Sequence, residues 1–171
     1  MKTVTTIVAT LAFAIPFAQV CRQMKNCPMT QNGKHAQGVD TRGDKAMGFS
    51  HEKTQHHFRL FKDGGSIDIV VKDRSDRQQV QAIRSHLKMI SGMFAKGDFH
   101  LPMFIHDRVV PGQKTMEARR KQISYGYADL PEGGRVRLRT SDAKALAAIH
   151  SFLRFQISDH RTGDSGKVEK P

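Results

Sequence analysis

The sequence lacks several features on which common binding and catalytic functions depend. It contains no Trp and two Tyr, which argues against an aromatic platform on which bases or sugars stack. It has no C-x-x-C pair, H-E-x-x-H motif or G-x-S-x-G elbow, and its Gly-Gly pairs fit hairpin turns better than a phosphate-binding loop. We therefore expect a binding protein more than an enzyme.

The charge is not concentrated in one basic run. The formal net charge is +12 at pH 7 and the pI is about 10.1, so the surface attracts nucleic acid, anionic lipid or an acidic partner. Lys and Arg are spread along the whole chain, which indicates that most of this charge is solvated surface.

The N-terminus has the pattern of an export signal. Residues 1–20 combine a basic start with an apolar run over 7–20, typical of a signal peptide and short for a membrane span. This predicts a periplasmic or secreted protein. Cys21 follows directly and leaves open a lipid anchor and a membrane-tethered form, although residues 18–20 make a poor lipobox.

Cys21 and Cys27 are the two cysteines of the chain. In an oxidising periplasm they could form a disulfide. Alternatively, Met24, Cys27 and Met29 offer soft sulfur ligands that suit cuprous copper. The sequence leaves both alternatives open.

Composition divides the remainder of the chain. Residues 21–46 are polar without apolar periodicity, which predicts a flexible linker, and 161–171 are similar and predict a disordered tail. The globular domain is therefore expected over 47–160.

That domain repeats one pattern. Each half shows a strand, a Gly-Gly pair, a second strand, a Ser-Asp pair and a helix, and AIRSHL at 82–87 matches AIHSFL at 148–153. Alternating polar and apolar residues predict the strands, Gly-Gly the turns and Ser-Asp the helix N-caps. We predict an α+β fold in which two ββα units form a four-stranded, mostly antiparallel sheet with two helices on one face.

Between the two halves, residues 96–120 show no regular period but keep apolar side chains. A loop of this length is usually packed down and often functional, which makes it the natural place for a site.

Imidazole and thioether side chains collect around the first helix and this segment. His86, Met89 and Met93 share one helical stripe, and Met103 and His106 follow in the segment. Further candidates precede or open the first strand: Met47, His51, His56 and His57. Thioethers favour cuprous copper and imidazole serves either oxidation state. The sequence therefore predicts a copper-binding or copper-buffering protein of the periplasm.

Core packing is the alternative for the helical stripe. It borders Ile83, Leu87 and Ile90, and His86 aligns with an apolar Phe152 in the second half. His56 and His57 point to opposite faces of a strand, so one of them at most joins a given site from there. His150 and His160 are expected at surface or cap positions.

A second functional alternative is a cell-envelope module that binds a polyanion or an envelope protein without metal or catalysis. Arg135, Arg137 and Arg139 alternate onto one sheet face, where Arg59 could join them. Asp68 lies at the corresponding position of the first half and could pair with these arginines. Export removes most nucleic acid from view, so the copper hypothesis includes no nucleic-acid partner.

The sequence also resembles a known family. The signature RGDxxMGFSHEKTxHHF is similar to that of a family of small, exported, uncharacterised bacterial proteins, and the likeness runs from Arg42 to Asp164. It includes these stretches: 42–54, 56–58, 97–99, 102–103, 105–106 and 152–164. The resemblance implies a periplasmic or secreted setting, often behind an N-terminal segment containing His and Met, and transfers no catalytic residues.

Overall fold

The computed structural model describes residues 28–170, with side chains from residue 33 onward. The chain divides after His35 into two compact units, 1–35 and 36–171. The described residues of the first unit begin helix α1, Pro28–Met47. The predicted signal peptide and both cysteines lie outside the described residues. No helix within 28–170 is long and apolar enough to cross a membrane.

The second unit contains a five-stranded mixed sheet. The strands are β1 (Thr54–Phe61), β2 (Gly64–Val71), β3 (Ser124–Leu130), β4 (Gly133–Arg139) and β5 (Val168–Glu169). Their order is β3-β4-β2-β1-β5, and every neighbouring pair is antiparallel except β1 and β5. The predicted α+β class is confirmed. The sheet exceeds the predicted four strands because the C-terminal segment pairs with the edge of β1.

Five helices are described in place of the predicted two. After α1 come α2 (Arg77–Lys96), α3 (His100–His106), α4 (Gln113–Ala118) and α5 (Ala143–Asp159). Helices α2 and α5 cover the sheet face on which alternate strand residues are buried, among them Ile67, Ile69, Val136 and Leu138. Burial of these apolar side chains between helices and sheet is the main stabilising term of the domain.

The two helices of the repeat, α2 and α5, each pack over the hairpin of the other ββα unit. Arg84 of α2 donates hydrogen bonds to the carbonyls of Leu130 and Gly133, at 2.7 and 3.1 Å. In α5, His150 Nε2 lies 2.9 and 3.0 Å from the carbonyl oxygens of Phe61 and Gly64, which flank the turn of the first hairpin. Arg84 and His150 occupy matching positions of the two repeats. The contact between helix and hairpin is therefore repeated too, and each time the helix belongs to one unit and the hairpin to the other.

The caps of the repeat are as predicted, but its hairpin turns come just before the Gly-Gly pairs. Asp76 and Asp142 cap α2 and α5 through their side chains. The two-residue turns, 62–63 and 131–132, precede the Gly-Gly pairs, which begin β2 and β4. A Cβ at Gly133 would lie 1.9 Å from the Ile69 carbonyl oxygen, so glycine permits close approach of two strands at this position.

The segment predicted as a flexible linker differs from that prediction, because α1 covers most of it. A single narrow stripe anchors this polar helix: Val39 is buried, Gly43 follows one turn later and Met47 joins the core. Arg42 Nε also donates to the Ile105 carbonyl at 2.8 Å. One apolar residue per turn is too weak a period to reveal the helix in the sequence.

The segment between the repeats is packed down, as predicted, but is partly helical. It contains α3 and α4, and four of its apolar residues are buried: Phe99, Ile105, Val110 and Met116. The C-terminal residues, predicted as a disordered tail, include β5 and a loop in which Asp164 accepts a hydrogen bond from the Phe58 amide at 2.9 Å.

Candidate metal site

A polar cleft of about 400 Å³ opens at the start of β1. Its walls come from α1, from the beginning of β1 and from the loop that follows α5. We call it the histidine cleft, after four of its lining residues: His51, His56, His57 and His160. Residues from the stretches 42–58 and 152–164 thus meet in space.

Two of these histidines are held by carboxylates. His51 Nδ1 lies 2.9 and 3.0 Å from the two oxygens of Asp44, and His57 Nδ1 lies 3.0 Å from Asp164 Oδ1. An ionised carboxylate accepts hydrogen bonds and cannot donate them, so in each neutral ring Nδ1 carries the proton. Nε2 then keeps its lone pair, which is the tautomer that a metal or a transferable proton requires.

Asp164 is itself fixed in place. Besides His57, it accepts hydrogen bonds from the Phe58 amide and from Thr162 Oγ1, at 2.9 and 2.7 Å. Burial alone would raise the pKa of Asp164, but these hydrogen bonds outweigh it and hold the pKa below its usual value. The carboxylate therefore stays ionised and keeps His57 oriented.

A smaller cavity of about 60 Å³ lies between the sheet, α2 and α5. We call it the inner cavity. Most of its lining is apolar, but it also includes His56, His86, His160 and Met47. Met47, His56 and His160 also line the histidine cleft, so these three residues contribute to both spaces.

His56 and His86 each contain a buried ring nitrogen without a hydrogen-bond partner, Nε2 and Nδ1 respectively. Burial lowers the pKa of His86 to about 4, and burial together with the neighbouring His86, His57 and His51 lowers that of His56 to about 4. His56 is among the residues that line the cleft, but its Nε2 is buried. Both rings are therefore neutral at pH 7.

His160 connects the inner cavity to a third histidine. Its ring lies parallel to that of His56 within 3°, with centroids 5.4 Å apart, and nearly perpendicular to that of His106, at 5.0 Å. Burial, and then the nearby His56, His106 and Arg161, lower the pKa of His160 well below its usual value. His160 is the C-cap residue of α5, one of the two kinds of position expected for it, and its ring also belongs to the cluster.

His106 is 1% exposed, but neither of its ring nitrogens is free. Nδ1 lies 2.5 Å from Asp159 Oδ2, and Nε2 lies 3.0 Å from Gln156 Oε1. A ring engaged at both nitrogens has no lone pair for a metal. In this arrangement His106 joins α3 to the end of α5.

The predicted ligands of α2 and α3 do not all reach one place. Among the described residues, the inner cavity is lined by His86 from this set and not by Met89, Met93, Met103 or His106. Met89 and Met103 are 46% and 38% exposed, and Met93 packs against the core. Upstream, the structure brings His51, His56 and His57 together in the cleft.

The predicted arginine face is present but partly neutralised. Arg135 pairs with Asp68 through two hydrogen bonds, as the sequence suggested, and Arg137 pairs with Asp63 and stacks over Phe61. Arg59 and Arg139 are the exposed members of the set.

The donor set of residues 28–170 limits the chemistry. Within this range no three His, Cys, Asp or Glu side chains are arranged to hold a metal ion. A hard ion such as Mg²⁺ or a structural Zn²⁺ lacks its usual ligands there. Two imidazoles and a thioether are instead a donor set suited to a soft ion.

No protein-family model, curated protein or solved structure matches the chain.

Proposed function

We propose that this protein binds cuprous copper in the inner cavity, through His56 Nε2, His86 Nδ1 and the thioether of Met47. The observation that carries the proposal is that one small cavity is lined by two histidines with unpaired buried nitrogens and by a methionine. The proposal retains Met47, His56 and His86 from the sequence hypothesis.

The energetics of the unpaired nitrogens support this assignment. A buried polar atom without a partner costs about 1–3 kcal/mol, and this part of the core contains two of them, on His56 and His86. A Cu(I) ion would satisfy both nitrogens in the tautomers that leave His56 Nε2 and His86 Nδ1 unprotonated, and because the rings are neutral no net proton need be lost. The apolar lining also keeps water away from a monovalent ion.

Export belongs to the same proposal. The signal-like pattern of residues 1–20 would deliver the protein to the periplasm or the medium, where cells encounter copper. Cell fractionation with detection of a C-terminal tag tests this part. Recovery of the intact chain from the cytosol, with Met1 still at its N-terminus, would exclude it.

Titration of the purified protein with Cu(I) against a competing chelator tests the metal proposal. Replacement of Met47 by Leu, of His56 by Gln and of His86 by Leu should each weaken binding by about 10–100-fold. Met89→Leu and His100→Gln are the matched controls, since Met89 is exposed and His100 is an exposed histidine outside both spaces. Unchanged affinity in all three site variants would overturn the proposal.

X-ray absorption of the Cu(I)-loaded protein gives a second readout. Wild type should show sulfur and nitrogen scatterers, and Met47→Leu should lose the sulfur contribution while Met93→Leu and Met103→Leu keep it. Loss of sulfur in either of the latter variants would move the site back to the sequence-predicted methionines.

A polyanion-binding function is the second candidate, because Arg59 and Arg139 are exposed on the sheet face opposite α2 and α5. Salt-dependent binding to anionic vesicles that is lost in Arg59→Gln/Arg139→Gln would support it. Binding that does not depend on salt would exclude it.

A further inference from the structure

The two edges of the sheet are finished differently. At the β1 edge, β5 pairs with Leu60 and Phe61, and Asp164 accepts a hydrogen bond from the Phe58 amide at 2.9 Å. At the opposite edge lies β3, and among residues 28–170 none forms a hydrogen bond with its outer backbone groups. Such a regular edge is a template for another strand. The chain therefore covers one edge of its sheet and leaves the other open.

The outer backbone groups of β3 belong to Tyr125, Tyr127 and Asp129. A two-residue turn joins β3 to β4, so Leu130 and Gly133 form the hydrogen-bonded pair that closes the hairpin. Every second residue before Leu130 also bonds to β4. The three residues between them direct their N–H and C=O groups away from the sheet, toward a neighbouring strand.

The sequence of β3 does not oppose such pairing. Its seven residues, 124–130, keep one unbroken register with β4 and include no Lys, Arg or Pro. Bulges, Lys and Pro are the usual means of blocking an exposed edge. In a chain with 28 Lys and Arg, the single charged residue of this strand is Asp129. Gly126 and Ala128 keep side chains small on the face opposite α2.

Charge complementarity favours a second copy of this chain in antiparallel orientation. Arg120 and Lys121 precede β3, whereas Asp129 and Glu132 mark its other end. When two copies of β3 run antiparallel, the basic start of each lies beside the acidic end of the other. Parallel copies would bring like charges together, which disfavours that pairing.

We propose that two copies of this chain pair through β3, antiparallel about a two-fold axis at Tyr127, so that the two sheets become one. Tyr127 then faces the partner's Tyr127, and Tyr125 faces the partner's Asp129. Each of these facing pairs exchanges two backbone hydrogen bonds, and the register overlaps the whole strand. A symmetric contact of this kind closes on itself and stops at a dimer. The inference does not depend on the copper proposal.

Sedimentation equilibrium of the full chain at about 1–500 μM tests the proposal, a range suited to a contact made by one strand pair. The mean mass should rise from that of one chain toward twice that value. Asp129→Pro removes an N–H that would bond the partner's Tyr125 and that β4 does not use. It should raise the dissociation constant by about 10-fold or more. Asp129→Asn is the matched control, because it removes the charge and keeps the N–H.

Photo-oxidative cross-linking of tyrosines tests the register, because Tyr125 and Tyr127 are the two tyrosines of the chain. The Tyr127 hydroxyl contacts Asp129 at the surface, and a covalent dimer should form through the Tyr127 ring. Tyr127→Phe should abolish this dimer. Tyr125→Phe should retain it, since the two Tyr125 side chains lie about 13 Å apart along the paired strands.

Each outcome decides the proposal, once the thermal unfolding midpoint shows that a variant is folded. A constant mass of one chain would overturn it and leave the edge to an extended segment of a different protein. A dimer of wild-type strength in Asp129→Pro would place the contact elsewhere and overturn it too. If Asp129→Pro does not fold, the covalent dimer decides, since its survival in Tyr127→Phe contradicts pairing through β3.

Discussion

The two ββα units share a backbone plan and differ in what they bury. His56 in β1 and Tyr125 in β3 both lie five residues before the end of their strands, and His86 in α2 corresponds to Phe152 in α5. In the second unit Phe152 packs against aromatic rings. In the first unit both positions are imidazoles beside a cavity. The first unit therefore has imidazoles where the second has the aromatic rings of Tyr125, whose buried hydroxyl has no partner, and of Phe152, which lines the same cavity.

The largest expected effect is the response to acid of the two imidazoles of the first unit. The pKa of His56 and that of His86 are about 4 in the folded protein against 6.5 in an ordinary histidine, so between these values the unfolded chain binds more protons. The free energy of unfolding therefore falls as the pH drops from 6.5 to 4. His56 and His86 each contribute at most about 1.4 kcal/mol per pH unit to this loss.

Urea unfolding at a series of pH values measures this loss. In His86→Phe, the contribution of these two histidines to the pH dependence in that window should fall to about half. An unchanged dependence would mean that His86 does not resist protonation in the folded state.

A histidine at the matching position of the second unit should have the next largest effect on the free energy of unfolding. Phe152 is 1% exposed, and Phe152→His should lower the free energy of unfolding by about 3 kcal/mol, because it loses aromatic packing and buries a polar ring. Phe104→His is the control, since Phe104 is 45% exposed. Equal losses in the two variants, measured by chemical denaturation, would contradict the difference in burial.

The exchanged contacts between helices and hairpins can be broken one at a time. Arg84→Met leaves the Leu130 and Gly133 carbonyls without their donor and should cost about 2 kcal/mol. His150→Leu should cost less, because a single ring nitrogen serves both carbonyls there. The exposed Arg77→Met is the control, and a comparable loss in it would show that charge, not the hairpin contact, is responsible.

The smallest expected effect is an increase in the free energy of unfolding. His86→Phe makes the first unit resemble the second and removes a buried nitrogen without a partner, so at pH 7 it should stabilise the metal-free protein by about 1 kcal/mol. The adjacent cavity of about 60 Å³ provides room for the larger ring. Under the copper proposal, the same variant loses Cu(I) affinity. Destabilisation would show that the imidazole contributes to packing.

The repeat could be predicted because its signals are local. Strand alternation, Ser-Asp caps and the match of 82–87 to 148–153 each depend on residues close in sequence, and the structure has both ββα units. Helix α1 could not be predicted in this way, since its buried stripe gains stability from the domain against which it packs. The two residues of β5 are likewise a strand because β1 offers them an edge.

The site shows the same division. His51, His56, His57 and His86 were candidates because of their residue type and spacing, whereas His160 and Asp164 had no local signal beyond the family resemblance. Helical spacing places Met89 and Met93 on the same face of α2 as His86. Spacing alone does not say which residues of that face line a cavity. That depends on how α2 lies against β3 and β4 and on the side chains that α5 brings opposite.

The sequence by itself determined the α+β class, the doubled unit, the caps and the residue types available as ligands, because these follow from short-range periodicity and chemistry. The tertiary structure decided which imidazoles retain a free nitrogen. It paired His106 with Asp159, oriented His51 and His57 with carboxylates, and left His56 and His86 unpaired beside Met47. Hydrogen-bond partners from distant parts of the chain consume or preserve a lone pair, and no local pattern encodes them.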